Sequence, residues 1–195
     1  MSAAPGPELV LASGSPRRLD LLRQLGFRPT VRVPDVDERP LPDETLHDRL
    51  LRLAAAKADA AVATLDAPAV IIGADTLVQH RGEALGKPRD RDEFLDTFLR
   101  LGGSTHTVST AVAVRSEHGL QRILVSSEVR LAPVSREQAI AYWCSGEPVD
   151  KAGGYAIQGR GARFVESLNG SYSNVVGLPL FETARLLLAA GLDPA

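Results

Sequence analysis

Residues 67–75 read APAVIIGAD, a short and nearly continuous apolar run. A strand of that composition lacks the alternation of a half-solvated strand and is built to be buried on both faces. It therefore calls for a sheet covered on both sides, and the neighbouring segments supply the cover. ELVLA (8–12) is another short apolar strand. It passes through a small-residue turn into an amphipathic helix that starts at Pro16, with Ser15 at the N-cap. Leu19, Leu22 and Leu25 recur there at helical spacing, and Gly26 ends the helix. FRPTVRV (27–33) reads as a strand, Leu46–Leu65 as a long helix, and TLVQHRGEALGKP (76–88) as a hairpin and loop. Arg91–Leu101 is a helix stopped by Gly102-Gly103. THTVSTAVAVRS and LQRILVSSEVRLAPV form an antiparallel hairpin across Glu117-His118-Gly119. Ser135–Cys144 is a helix with a Ser135 N-cap, residues 145–180 are glycine-rich and mostly irregular, and Phe181–Ala190 is the last helix. Connections of both βα and hairpin type predict an α/β protein with a mixed sheet.

Composition removes several function classes. The 195 residues suit one domain, expected at 8–195 with two lobes, behind a loose MSAAPGP tail at 1–7. A net charge of −2, with 24% charged and 5% aromatic residues, gives no basic stripe for nucleic acid. No apolar run approaches the roughly 20 residues that span a bilayer, so a cytoplasmic location and no membrane partner are expected. The single Cys144 excludes an internal disulfide and a multi-cysteine zinc site. Its setting, AIAYWCSG, reads as a packed small hydrophobe. His47, His80, His106 and His118 show no metal-ligand spacing, and no Walker loop, GxGxxG fingerprint or GxSxG elbow is present.

The turn SGSPRR (13–18) places Arg17 and Arg18 in the first turn of a helix, where the macrodipole is already positive. Two arginines beside two serines make sense there if an anion, phosphate above all, completes the site. The plainer alternative is a pair of solvated arginines. Asp75, in GADT, is expected at the carboxyl end of a buried strand, where open α/β sheets place ligands; a turn aspartate is the alternative. Lys87 lies in a stiff Gly-Lys-Pro turn and Lys57 on the long helix, and either residue alone is weak. The acidic loop with Asp35, Asp37 and Glu38 can hold a divalent cation or simply be solvated. EPVDKAGGYAIQG (147–159) is too long and too glycine-rich for a casual connection.

Taken together, SGSPRR (13–18), GADT (73–76), LGKP (85–88), EPVDKAGGYAIQG (147–159) and SLNGSYSNVVGLPL (167–180) make the chain resemble the Maf family of nucleoside triphosphate pyrophosphatases. The DKAGGYAIQG wording resembles the branch acting on dTTP and UTP, whereas the N7-methyl-GTP branch lacks it. The resemblance implies an ITPase-like α/β fold: an elongated mixed sheet, flanking helices and a cleft between two lobes. It implies release of pyrophosphate and a nucleoside monophosphate, with a divalent metal cation (Mg²⁺, Mn²⁺ or Co²⁺) required. A homodimer is the expected assembly. By the same resemblance Asp75 is the general base for the attacking water, while Thr76, Gln158 and Arg17 match positions linked to substrate choice.

The chemistry of the residues agrees. A triphosphate brings about four negative charges, and Ser13, Arg17, Arg18, Lys57 and Lys87 supply cations and donors against them. Mg²⁺ commonly takes only one or two protein carboxylates, for which Glu38 and Asp75 serve; base and metal ligand compete for Asp75. The Gln158 amide both donates and accepts, which suits the N3–H and carbonyl of uracil and thymine and mismatches cytosine. Two other readings remain open: a non-catalytic nucleotide-sensing regulator of septum formation, and the same chemistry on N7-methyl-GTP.

Overall fold

The computed structural model describes residues 7–65 and 67–193. Of the expected N-terminal tail, residues 1–6 lie outside the described residues. In chain order the elements are β1 (Glu8–Leu11), α1 (Pro16–Gln24), β2 (Thr30–Val31), α2 (Leu46–Val62), β3 (Ala69–His80), β4 (Glu83–Leu85), α3 (Arg91–Leu101), β5 (Thr105–Ser116) and β6 (Gly119–Leu131). After them come α4 (Arg136–Trp143), three short 3-10 turns between Glu147 and Phe164, β7 (Val165–Asn169), α5 (Tyr172–Val176) and α6 (Leu180–Ala189). The strand order is β2-β1-β3-β5-β6-β7, with β4 paired to β3. β1 runs parallel to β2 and β3, while β3–β4 and β6–β7 are antiparallel. Parallel neighbours need crossovers, and α1 and α2 are those crossovers. The mixed sheet with flanking helices is the α/β architecture expected from the sequence.

The chain divides into two compact units, with β3, β5 and β6 contributing residues to both. The first comprises 1–75, 110–125 and 177–195. Its centre is apolar sheet against apolar helix: Val10, Leu11, Ile71 and Ile72 from β1 and β3, with Leu22, Leu50, Leu53 and Leu187 from the helices, all buried. The second comprises 76–109 and 126–176. Its core is aromatic. Phe94 stacks on Phe98 with ring centroids 5.0 Å apart, and Tyr142, Trp143 and Phe164 complete the cluster.

Several elements depart from the sequence reading, each for a local reason. β2 keeps only Thr30–Val31 of the expected FRPTVRV strand. Phe27 instead closes α1, donating its N–H to the Leu22 carbonyl over a left-handed Gly26, and Pro29 has no N–H for a ladder. α1 buries Arg18, Leu21 and Leu22, leaving Leu19 and Leu25 half-buried. Positions i, i+3 and i+4 share a helix face, and here a charged residue sits on the buried one. Ser15 occupies the N-cap but its side chain makes no cap bond. β3 does not stop at Asp75 but continues to His80 before the Arg81-Gly82 turn, so Asp75 is a mid-strand residue. The 145–180 segment contains β7, and Cys144 is exposed at the end of α4 rather than packed. By contrast α3 and α4 match closely, and Ser135 forms a full capping box with Gln138.

Candidate active site

In the first unit, local geometry begins with Gly73. A Cβ built there would lie 2.1 Å from the Ala54 carbonyl oxygen and 2.7 Å from the Ala58 nitrogen. Only glycine lets the backbone of α2 lie directly on β3. The small residues Ala54, Ala55, Ala58 and Ala61 form the face that makes this approach. Lys57 sits on the same stretch of α2, and Asp75 is two residues beyond Gly73, hence on the same face of β3. The result is a short ion pair, Lys57 Nζ to Asp75 Oδ1 at 2.7 Å. The same ammonium is 2.7 Å from Glu38 Oε1. Glu38 and Asp75 therefore converge on one cationic nitrogen, and Lys57 and Asp75 are largely buried.

The acidic loop that carries Glu38 is fastened to α2. Arg49 donates to the Glu38 carbonyl oxygen at 2.8 Å and Arg52 to that of Arg39 at 3.1 Å. Arg52 also pairs with Glu44, whose carboxyl it holds down at about 2. Asp37 is engaged by the Arg39 guanidinium, which lowers its pKa. Of the three acids in the loop, Glu38 is the one this geometry brings to Lys57.

At the SGSPRR turn, Ser13 organises the entry to α1. Its buried hydroxyl accepts from the Ser15 N–H at 3.2 Å and from Arg18 Nη1 at 3.1 Å. Arg18 Nε donates to the Gly177 carbonyl at 2.9 Å. Burial pushes the Arg18 pKa down, and the charge of Asp75 opposes that shift. Arg18 is thus a buried cation that holds Ser13 and the 177 segment. Arg17, next in sequence but about 100° round the helix, is only half-buried.

The second unit holds the remaining expected residues. Thr76 is half-buried on β3, Lys87 is exposed between Gly86 and Pro88, and Gln158 is exposed. Gly153 donates its N–H to the Gly86 carbonyl at 3.0 Å, tying the AGGYAIQG loop to the Gly-Lys-Pro turn. Gly153 and Gly154 have φ of 70° and 73°, and a Cβ on Gly154 would meet Phe94 at 2.7 Å. Among the described residues no group of three or more His, Cys, Asp or Glu side chains could hold a metal ion. No described helix is long and apolar enough to cross a membrane.

The sequence pattern of Maf-like proteins matches residues 8–190. The chain belongs to the Maf family. Among curated relatives, the Colwellia psychrerythraea protein named dTTP/UTP pyrophosphatase is 45% identical over 97% of this chain and 92% of its own length. Proteins of the same name from Pseudoalteromonas translucida and Vibrio cholerae are 48% and 47% identical over 91% and 92% of this chain, and 94% and 96% of their own. Among solved structures, the Staphylococcus aureus Ham1 protein aligns with 64% of this chain and 72% of its own at 16% identity and a TM-score of 0.45, too distant to bear on function.

One residue of this Maf chain escaped the sequence reading. Glu147 opens the EPVDKAGGYAIQG motif, yet nothing in its type or spacing marks it out. In the fold it accepts from the Tyr142 hydroxyl at 2.6 Å and from the Arg160 and Gly161 N–H groups at 2.9 Å each. Burial alone would raise its pKa; those three donors outweigh burial and hold it below the usual carboxylate range. The available signal is Gly159 and Gly161, glycines that leave room for the half-buried Glu147 and for Tyr142.

Proposed function

We propose that this Maf chain hydrolyses dTTP and UTP to the nucleoside monophosphate and pyrophosphate. The observation that carries the reading is 45–48% identity, over nearly the whole length, to several proteins named dTTP/UTP pyrophosphatase. The first unit's side chains support it. Arg17 and Ser13 at the start of α1 bind phosphate oxygens, and Arg18 holds Ser13 in place. Asp75 Oδ1 is fixed by Lys57, and its Oδ2 takes the proton of the water that attacks the α-phosphorus.

A divalent cation belongs to the same proposal. Glu38 and Asp75 already converge on a point of positive charge, the Lys57 ammonium, and a carboxylate pair with waters and phosphate oxygens is a common Mg²⁺ ligand set. When bound, Mg²⁺, Mn²⁺ or Co²⁺ supplies charge for the phosphates and lowers the pKa of bound water.

In the second unit, Lys87 is assigned to phosphate, and Thr76 and Gln158 to substrate choice. The Gln158 amide oxygen accepts the N3–H of uracil or thymine while its NH₂ donates to the adjacent carbonyl; cytosine has no N3–H to offer. The same proposal takes 8–195 as one functional domain, homodimeric and cytoplasmic, which gel filtration and cell fractionation test. Product analysis on purified protein with each metal decides the activity. Monophosphate and pyrophosphate are expected from dTTP and UTP. Orthophosphate with a diphosphate, or no turnover with any of the three metals, overturns the proposal.

A further inference from the structure

Gln158 sits near the apex of a turn whose two flanks are held by one pair of side chains. The turn closes with the Gly159 N–H on the Ala156 carbonyl at 3.2 Å. On its leading side the Tyr142 hydroxyl accepts the Ala156 N–H at 3.1 Å. That hydroxyl in turn donates to Glu147 Oε1. On the trailing side Glu147 accepts from Gly161 through Oε1 and from Arg160 through Oε2. A Cβ on Gly159 would lie 2.2 Å from Glu147 Oε2, and one on Gly161 would lie 2.6 Å from the Tyr142 oxygen. The loop backbone is therefore packed directly against the phenol–carboxylate pair.

We infer that Glu147 and Tyr142 are positioning residues for base selection: they fix the backbone from which the Gln158 amide is presented and so set the preference for uracil and thymine over cytosine. The inference rests on the proposed role of Gln158. Neither residue is assigned to the substrate; they act through the turn. A carboxylate offers two acceptor oxygens to three donors, whereas an amide in its place turns an NH₂ group against at least one of them. Glu147→Gln thus frees one flank with almost no change in volume. Tyr142→Phe frees the other, leaving the Ala156 N–H without its acceptor.

The test measures kcat and KM for UTP and CTP in the wild type, Gln158→Ala, Glu147→Gln, Tyr142→Phe and the Glu147→Gln/Gln158→Ala double variant. Glu147→Gln is expected to reduce the UTP:CTP ratio of kcat/KM at least tenfold, mainly through KM for UTP. Tyr142→Phe is expected to change the ratio in the same direction by a smaller factor. The double variant should be no less selective than Gln158→Ala alone, because the residues act as a unit. Equal losses on UTP and CTP in Glu147→Gln and Tyr142→Phe, or selectivity losses that add in the double variant, overturn the inference while leaving Gln158 as the base reader. A ratio untouched by Gln158→Ala overturns both this inference and the role of Gln158. Should Glu147→Gln fail to fold, Tyr142→Phe decides alone on the same criterion.

Discussion

The two units hold their candidate functional side chains by opposite means. In the first, charge meets charge: Lys57 bridges Glu38 and Asp75, and buried Arg18 lies within the field of Asp75. In the second, a carboxylate meets backbone: Glu147 gathers two main-chain N–H groups and a phenol and leaves Gln158 exposed at the end of the turn. Ion pairs between side chains can re-pair when a polyanion and a cation arrive, which is what the proposed phosphate chemistry requires. A carboxylate closed on main-chain donors makes a rigid loop, which suits the reading of a fixed edge such as a base.

The comparison breaks most visibly at Asp75. Asp75→Asn keeps the volume and removes the proposed proton acceptor, so turnover of UTP should fall by about 10²–10⁴-fold. Far-UV circular dichroism and the unfolding midpoint should stay close to the wild type. Near-wild-type kcat in this variant would reduce the Lys57–Asp75 pair to a structural ion pair.

How much of this was legible before the fold depended on the range of the interaction. α3 and α4 were readable because their signals are local: Gly102-Gly103 after one, and a Ser135 cap with Gln138 three residues on for the other. Asp75 and Lys57 were legible as residue types but not as partners, because their meeting depends on Gly73 admitting the α2 backbone. β3 runs past Asp75 straight into the expected hairpin with β4, for a related reason. Its apolar run ends near Asp75, but the strand continues through a mixture of half-buried positions and buried Val78 and His80 that carries no continuous hydrophobic signal. Glu147 is legible only indirectly, through Gly159 and Gly161, since a glutamate itself reveals nothing until its three donors, up to 14 residues away in sequence, are seen around it.

Acid should strike the second unit through a histidine. His106 is buried, with Nε2 on the Tyr155 oxygen at 2.7 Å, and burial pulls its pKa down to about 4. The unfolded chain then takes up a proton first, near pH 6.5, so the stabilisation is complete above that value and is lost as pH falls towards 4. The whole effect is about 3 kcal/mol, of which roughly 2.5 is lost by pH 4.5. His80, also lowered by burial, acts in the same direction. Urea unfolding followed through Trp143, the sole tryptophan, should show this loss between pH 7 and 4.5. The His106→Gln variant should show a much shallower one. Equal pH slopes in the two proteins would place the sensitivity elsewhere.

Gly73→Ala tests the first unit through packing rather than charge. The new methyl group meets backbone atoms that cannot rotate away, so α2 must move off β3. Overpacking of this kind costs about 1–3 kcal/mol. The same displacement carries Lys57 away from Asp75, so kcat should drop alongside stability in this variant. Loss of stability with kcat intact would show that Asp75 works without its lysine.

The smallest effects separate two serines that look alike in sequence. Ser15 and Ser135 each precede a helix, and both suit the N-cap. The Ser135 hydroxyl accepts the Gln138 N–H and the Ser135 N–H donates to Gln138 Oε1 in return, whereas the Ser15 hydroxyl makes no cap bond. Ser135→Ala should therefore cost about 1 kcal/mol, the usual worth of a cap, and Ser15→Ala no more than a few tenths. The reason lies in Ser13, whose hydroxyl takes the Ser15 N–H and the Arg18 guanidinium and so governs the entry to α1 from two residues upstream. With Ser15 making no cap bond, the positive end of α1 is open to the proposed phosphate, whereas Ser135 caps α4. Urea midpoints of the two alanine variants check the first half of this. Inorganic phosphate or pyrophosphate checks the second: its stabilisation of the protein should survive Ser15→Ala and weaken in Ser13→Ala. Equal costs for the two serines would mean that α1 is capped like any other helix, and its start would lose its claim on the anion.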